Sequence, residues 1–208
     1  MPQDVELVKI ANKIRSEQDL YEKTKVYRQM VYPKRVSGYM EYKLRNFQAI
    51  TPAALMYAGK TRNHIVGLTG LCFLDIDRIR KEVRMQFLIN KLRQDNHVML
   101  AYKSVSGRGL HVLIHYRIQY LNTTLHTGSR GSIVMHRLYR NVFDHIAAEY
   151  EKKLFVVVDK HARSPEHTCV LCHDQDCYFN PDAEPISLPL TPLLANYSCT
   201  HQHKITPL

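Results

Sequence analysis

Residues 97–116 constrain the fold more tightly than any other stretch of this chain. HVMLAYKS has strand composition, SGRG is a glycine turn, and LHVLIHY is a second apolar strand. Strand, glycine turn, strand is the pattern of an antiparallel hairpin. Other apolar runs supply more strands. IVGLTGLCFLDID, residues 65–77, reads as a strand pair or one long strand ending in acids. LFVVVD, residues 154–159, reads as a buried strand ending in an acid, and TCVLCH as another short strand.

Helical periodicity separates these runs. Val5, Leu7, Val8, Ala11 and Ile14 mark one apolar stripe, and a second helix is expected from Glu17 to Met30. Residues 79–93 form an amphipathic pattern with Ile79, Val83, Phe87 and Leu92 on one face. Residues 132–153 carry Val134, Leu138, Val142 and Ile146 at four-residue spacing. Alternating helices and strands with one hairpin predict an α/β or α+β domain, with a mixed sheet and flanking helices. Pro33 and Gly38 close a helical segment, residues 1–38. The core is expected over 39–182. The proline-bearing remainder, 183–208, is expected to be an extended tail or a linker to a further domain.

The charge balance narrows the partners. Lys and Arg number 29 against 19 Asp and Glu, a formal charge of +10. That excess favours a polyanion, with nucleic acid first and anionic membrane second. No apolar run approaches the roughly 18 residues that span a bilayer. The first residues carry Asp4 and Glu6 and lack a secretory apolar stretch, so a cytoplasmic address is expected. The five cysteines have no framework spacing and read as reduced thiols. The sequons at Asn122 and Asn196 read as chance matches.

Three features carry chemistry. Asp75-Ile76-Asp77 ends an apolar strand, where residues two apart share a face. Two adjacent carboxylates repel, and a divalent cation relieves that repulsion. The second feature is the turn from Lys103 to His111. Gly107 and Gly109 let backbone N–H groups approach an anion, Ser104 and Ser106 add hydroxyls, and Arg108 can grip phosphate with two hydrogen bonds. His111 opens the next strand within reach of the same anion. The third feature is Asp159, delivered by its own apolar run. Arg78, Arg80, Lys81, Arg84, Lys91 and Arg93 make the rest of the 79–93 helix basic, which marks it as a candidate nucleic-acid surface.

In this order the three features resemble the archaeo-eukaryotic primase, or prim-pol, superfamily. Its pattern is an apolar strand ending in D-x-D/E, an S-x-H-type motif, then a strand ending in an acid. The fuller string is most similar to the VirE N-terminal-like branch of bacterial mobile-element and primase-helicase proteins. That similarity rests on Gly70 through Asp77, Ser104 through Leu110, and the acidic, aromatic string Asp174 through Pro181. It covers residues 39–182. The chain departs from the pattern at His167, where an Arg is expected, and at Cys172, where a Ser is expected.

The resemblance implies a prim-pol catalytic core with an RRM-like half, performing template-directed nucleotidyl transfer. Asp75, Asp77 and Asp159 would hold two Mg²⁺ or Mn²⁺ ions. Ser104, Ser106, Gly107, Arg108, Gly109 and His111 would bind the phosphates of an NTP or dNTP. The implied partners are a single-stranded template and a helicase domain or protein.

Three other readings compete. Cys169, Cys172 and Cys177 with His167 and His173 have zinc-ligand chemistry. Residues three apart on a strand face opposite ways, however, which argues against structural zinc. Cys199, His201 and His203 are a similar set in the tail. His111 and His115 among 13 tyrosines suggest a rolling-circle nickase, but four residues apart on a strand they sit too far apart to share an ion easily. The non-enzymatic alternative is a nucleic-acid-binding module that kept the fold.

Overall fold

The structure is a computed structural model and describes residues 6–57, 59, 61–119 and 129–189; no side chain is described for 129–131. It is a mixed α+β fold with a mixed sheet and flanking helices. Helices α1 (Leu7–Ser16), α2 (Gln18–Val31) and α3 (Tyr39–Asn46) come first, followed by strands β1 (Ala49–Ile50), β2 (Ala54–Met56), β3 (Ile65–Leu68) and β4 (Leu71–Ile76). Then come α4 (Glu82–Arg93), β5 (Val98–Lys103), β6 (Leu110–Gln119) and α5 (Ser129–Leu154). The short strands β7 (Cys169–Val170), β8 (Tyr178–Phe179) and β9 (Ile186–Pro189) follow.

The hairpin forms as read. β5 and β6 pair antiparallel, with Tyr102 opposite His111. The main sheet runs β4-β6-β5-β8, and β9 adds to β6 in parallel. β3 and β4 are two strands but do not pair with each other. β3 pairs with β2, while β4 pairs with β6. Gly70, at φ 81°, turns the chain between them, and its carbonyl accepts the Tyr116 N–H.

β4 is an edge strand, and α5 covers its free side. Phe73 N–H donates to the Tyr139 hydroxyl at 3.2 Å. Such cover prevents unpaired strand edges from templating aggregation. α5 is held by Leu138, Tyr139, Val142, Phe143, Ile146 and Tyr150, all buried at helical spacing. Ile10, Ala11, Ile14 and Tyr27 place α1 and α2 in the same core.

Four expectations need correction. LFVVVD is not a strand. α5 runs through Leu154, Phe155 takes a left-handed conformation (φ 52°), and Val156 N–H returns to the Glu151 carbonyl. This is a Schellman helix end, in which a bond from beyond the terminus satisfies an orphan carbonyl. Only Val158 bridges to Ile76. α4 starts at Glu82, not residue 79, and buries Met85, Leu88, Ile89 and Leu92. Val83 and Phe87 are exposed. Ile79 precedes the helix and is buried, while Val83 and Phe87 lie off the face packed by Met85, Leu88, Ile89 and Leu92. In α1, Val8 is exposed, and Ile10 is buried with Ala11 and Ile14. Finally, residues 186–189 are not free tail but strand β9. The remainder of the tail, with Cys199, His201 and His203, lies outside the described residues, as do the sequons at Asn122 and Asn196.

Candidate metal centre and adjoining clefts

Asp75, Asp77 and Asp159 come from different kinds of backbone. Asp75 sits in β4, opposite His111 of β6. Asp77 lies just past the strand end, before Arg78, whose φ of 64° turns the chain away. Asp159 is held by its own N–H, which donates to the Asp75 carbonyl at 2.8 Å. One oxygen from each carboxylate lies within 4.8 Å of the others. The spacing is that of a shared divalent cation with oxygen ligands.

The three acids differ in charge state. Burial, then the Asp77 and Asp159 charges, push Asp75 up to about 7, against the pull of the Lys43 ammonium. Its Oδ1 is buried without a hydrogen-bond partner. Burial also raises Asp159, but the His161 N–H and ring outweigh it and hold that carboxyl below its ordinary range. The His161 Nδ1 lies 2.8 Å from Asp159 Oδ1, and the His161 N–H donates to the same oxygen at 3.0 Å. An uncompensated, partnerless carboxylate oxygen beside two further carboxylates fits a hard cation such as Mg²⁺ or Mn²⁺.

His111 stands beside the acids rather than in the turn. It is buried between Phe73 and Tyr102, both edge-on, at 5.4 and 5.1 Å. Its Nε2 is 3.8 Å from Asp75 Oδ1. Burial, aided by Lys43 and His167, lowers its pKa to about 3, so the contact is not an ion pair. His115 turns its Nδ1 to the Ala183 carbonyl and takes no part in the acid cluster.

The turn itself divides in two. Ser106, Gly107 and Arg108 line an open cleft of about 660 Å³ between α2, the start of α4 and the turn. Lys25, Arg28, Arg80, Lys81 and Lys103 make that cleft strongly basic. Ser104 and Gly109 are buried behind it. A Cβ on Gly109 would stand 2.8 Å from the Ile76 carbonyl and 3.0 Å from Asp77 Oδ1, so only glycine lets the turn approach the acids. Arg28 donates to the Val105 and Ser104 carbonyls at 3.3 and 3.4 Å, and the Arg108 guanidinium lies 4.4 Å above the Tyr32 ring.

The basic residues of 78–93 do not form one surface. Arg78, Arg80 and Lys81 precede α4 and line clefts. Arg84 donates to the Leu154 and Phe155 carbonyls and stacks on Phe87, where Lys91 also lies. Arg93 donates to the Asp176 carbonyl. Arg84 and Arg93 are thus tied to backbone carbonyls, while Lys91 is exposed beside the Phe87 ring. A second cleft, about 890 Å³, opens on the other side of Arg78–Lys81 and holds Asp77 and Asp159 in its lining.

Sequence reasoning missed Lys43, Arg28, Tyr32 and His161. Only His161 left a signal, two residues after an aspartate that can accept its N–H. The thiols of Cys169 and Cys172 contact the Tyr102 hydroxyl and the Lys103 carbonyl. Burial pushes Cys172 and Cys177 up to about 12.

A family model described as BT4734-like, N-terminal domain, matches residues 43–179. No curated protein and no solved structure matches the chain. The match spans most of the sequence and every acid of the cluster, and the chain belongs to the BT4734-like, N-terminal domain family.

Proposed function

We propose that this chain is a metal-dependent nucleotidyltransferase of the primase-polymerase type, acting on a single-stranded template with NTP or dNTP. One observation carries the reading: three carboxylates converge within 4.8 Å beside a glycine turn that opens on a basic cleft. Asp75, Asp77 and Asp159 would hold a pair of Mg²⁺ or Mn²⁺ ions. Such ions activate a strand's 3′-hydroxyl and steady the triphosphate and leaving pyrophosphate.

The chain's own groups divide the remaining work. Arg108, Ser106 and the Gly107 backbone bind the nucleotide's phosphates, with Lys25, Arg80 and Lys103 adding charge. Arg28 holds the turn in place through its carbonyls. His111, neutral and boxed in by Phe73 and Tyr102, packs 3.8 Å from Asp75 rather than touching phosphate. Among the described residues no helix is long and apolar enough to cross a membrane. This activity belongs in the cytosol, in keeping with unbridged Cys72, Cys169, Cys172 and Cys177.

The test is primer synthesis and extension on single-stranded template with labelled NTPs or dNTPs and Mg²⁺ or Mn²⁺. Asp75→Ala with Asp77→Ala should abolish incorporation and leave oligonucleotide binding intact or tighter. Incorporation that survives in the double variant overturns the site. A wild type that binds template but never incorporates makes the domain a binding module.

A further inference from the structure

The second cleft, about 890 Å³, has a wall that packing alone does not explain. Phe155 is 85% exposed and Val157 is 77% exposed, beside the half-buried Val156. Scattered surface apolar residues are ordinary, but here they stand together along the cleft that holds Asp77 and Asp159. Phe155 also occupies the left-handed position that ends α5, at φ 52°. Glycine is the usual residue there because a Cβ is strained in that conformation. The chain therefore keeps a bulky ring in a strained backbone position and turns it to solvent. Residues held against their own preferences cluster at functional sites.

The surroundings narrow the occupant. Arg84 ties the loop down through the Leu154 and Phe155 carbonyls, so the ring is presented from a fixed backbone. Arg78, Arg80 and Lys81 line the cleft across from it, and Lys160 lies at its acidic end. An aromatic face with cations along a groove is the pattern that holds a single strand. Bases stack on the ring, and phosphates follow the charge. The same groove carries Asp77 and Asp159 at one end, so the strand's phosphates run along the Arg78–Lys81 side.

We propose that Phe155, flanked by Val157, is a stacking platform for a single-stranded nucleic acid whose end lies at the Asp77–Asp159 edge. This rests on the nucleotidyl-transfer reading for which strand end is bound there, but the stacking itself needs no metal and no turnover. The two clefts then divide the labour: the basic one takes nucleotide phosphates, and this one takes the strand.

The test uses the chain in EDTA, so that binding is read without catalysis. The sequence has no tryptophan, so Phe155→Trp carries the protein's only indole. Its fluorescence should be quenched by a short single-stranded oligonucleotide. Phe155→Ala should weaken anisotropy-measured binding of a labelled oligonucleotide about tenfold. The salt dependence of binding should stay unchanged, because phosphate contacts remain. Phe155→Gly should lose the same affinity while raising the thermal midpoint, which shows that the loss is not unfolding.

Unchanged affinity in Phe155→Ala, or an unquenched indole, overturns the platform. Quenching by anionic phospholipid vesicles but not by oligonucleotide assigns the patch to a membrane instead. Self-association that Phe155→Ala abolishes assigns it to a second copy of the chain. Failure of the nucleotidyl-transfer reading looks different: no incorporation by wild type, with stacking intact in EDTA.

Discussion

Asp75→Asn should make this protein more stable, by an amount that depends on pH and on divalent cations. In the native chain burial and two neighbouring carboxylates raise Asp75 from 3.8 to about 7. At about 1.36 kcal/mol per unit, that displacement corresponds to roughly 4 kcal/mol. The side chain is only 18% exposed, so solvent screening removes little of it. The folded state binds this proton more tightly than the unfolded state does. Between pH 3.8 and about 7 the unfolded chain has released the proton and the folded chain has not, so stability falls as pH rises. Above about 7 the full penalty applies.

Asparagine keeps the shape, carries no charge and can donate toward the other two acids. Roughly 2 kcal/mol or more of the penalty should return at pH 8, about 4–8 °C in the thermal midpoint for a chain of this size. At pH 5, where native Asp75 still holds its proton, the gain should shrink sharply. Mg²⁺ or Mn²⁺ should raise the wild-type midpoint at pH 8 and raise the variant's much less. Thermal melts at pH 5 and pH 8, each with EDTA or with metal, decide it. A variant no more stable than wild type at pH 8, or a gain independent of pH, refutes the claim that Asp75 is an uncompensated buried acid.

Other substitutions probe the supports of the site. Gly109→Ala forces a Cβ to within 2.8 Å of the Ile76 carbonyl, a backbone atom that cannot step aside. It should destabilise by about 1–3 kcal/mol in denaturant melts and depress incorporation. Tyr32→Ala removes the ring beneath Arg108 and should raise the nucleotide KM severalfold with little change in kcat, read from steady-state kinetics. Asp95 is buried and is not part of the acid cluster. Burial alone would raise its pKa, but hydrogen bonds from Lys153, Tyr150 and the His97 N–H hold it below normal. Its contribution is present above pH 3.8 and lost as pH falls through the lowered value, and Asp95→Ala should cost about 2–4 kcal/mol at pH 7 in urea melts.

Local pattern settled the parts of the protein whose causes are local. The β5–β6 hairpin follows from two apolar strands around a glycine turn, and α1, α2 and α5 follow from apolar residues at helical spacing. The aspartates were legible because each follows an apolar run, although only β4 is a strand and Asp159 is held by its bond to the Asp75 carbonyl. Periodicity did not fix where α4 turns its face, since Met85 and Phe87 are both apolar and only the sheet selects between them.

Val156 and Val157 look like strand residues, yet a Schellman bond from Val156 to Glu151 and a left-handed Phe155 end α5 there. No neighbour in sequence announces that conformation, because the residue in it is not glycine. The approach of Lys43 to the acids, the clamp of Arg28 on the turn and the ring of Tyr32 under Arg108 join residues far apart along the chain. These depend on how α2 and α3 pack on each other and on the core. Sequence supplied the carboxylates and the turn. Tertiary structure decided their charge states, because desolvation and mutual repulsion exist only once the chain has folded.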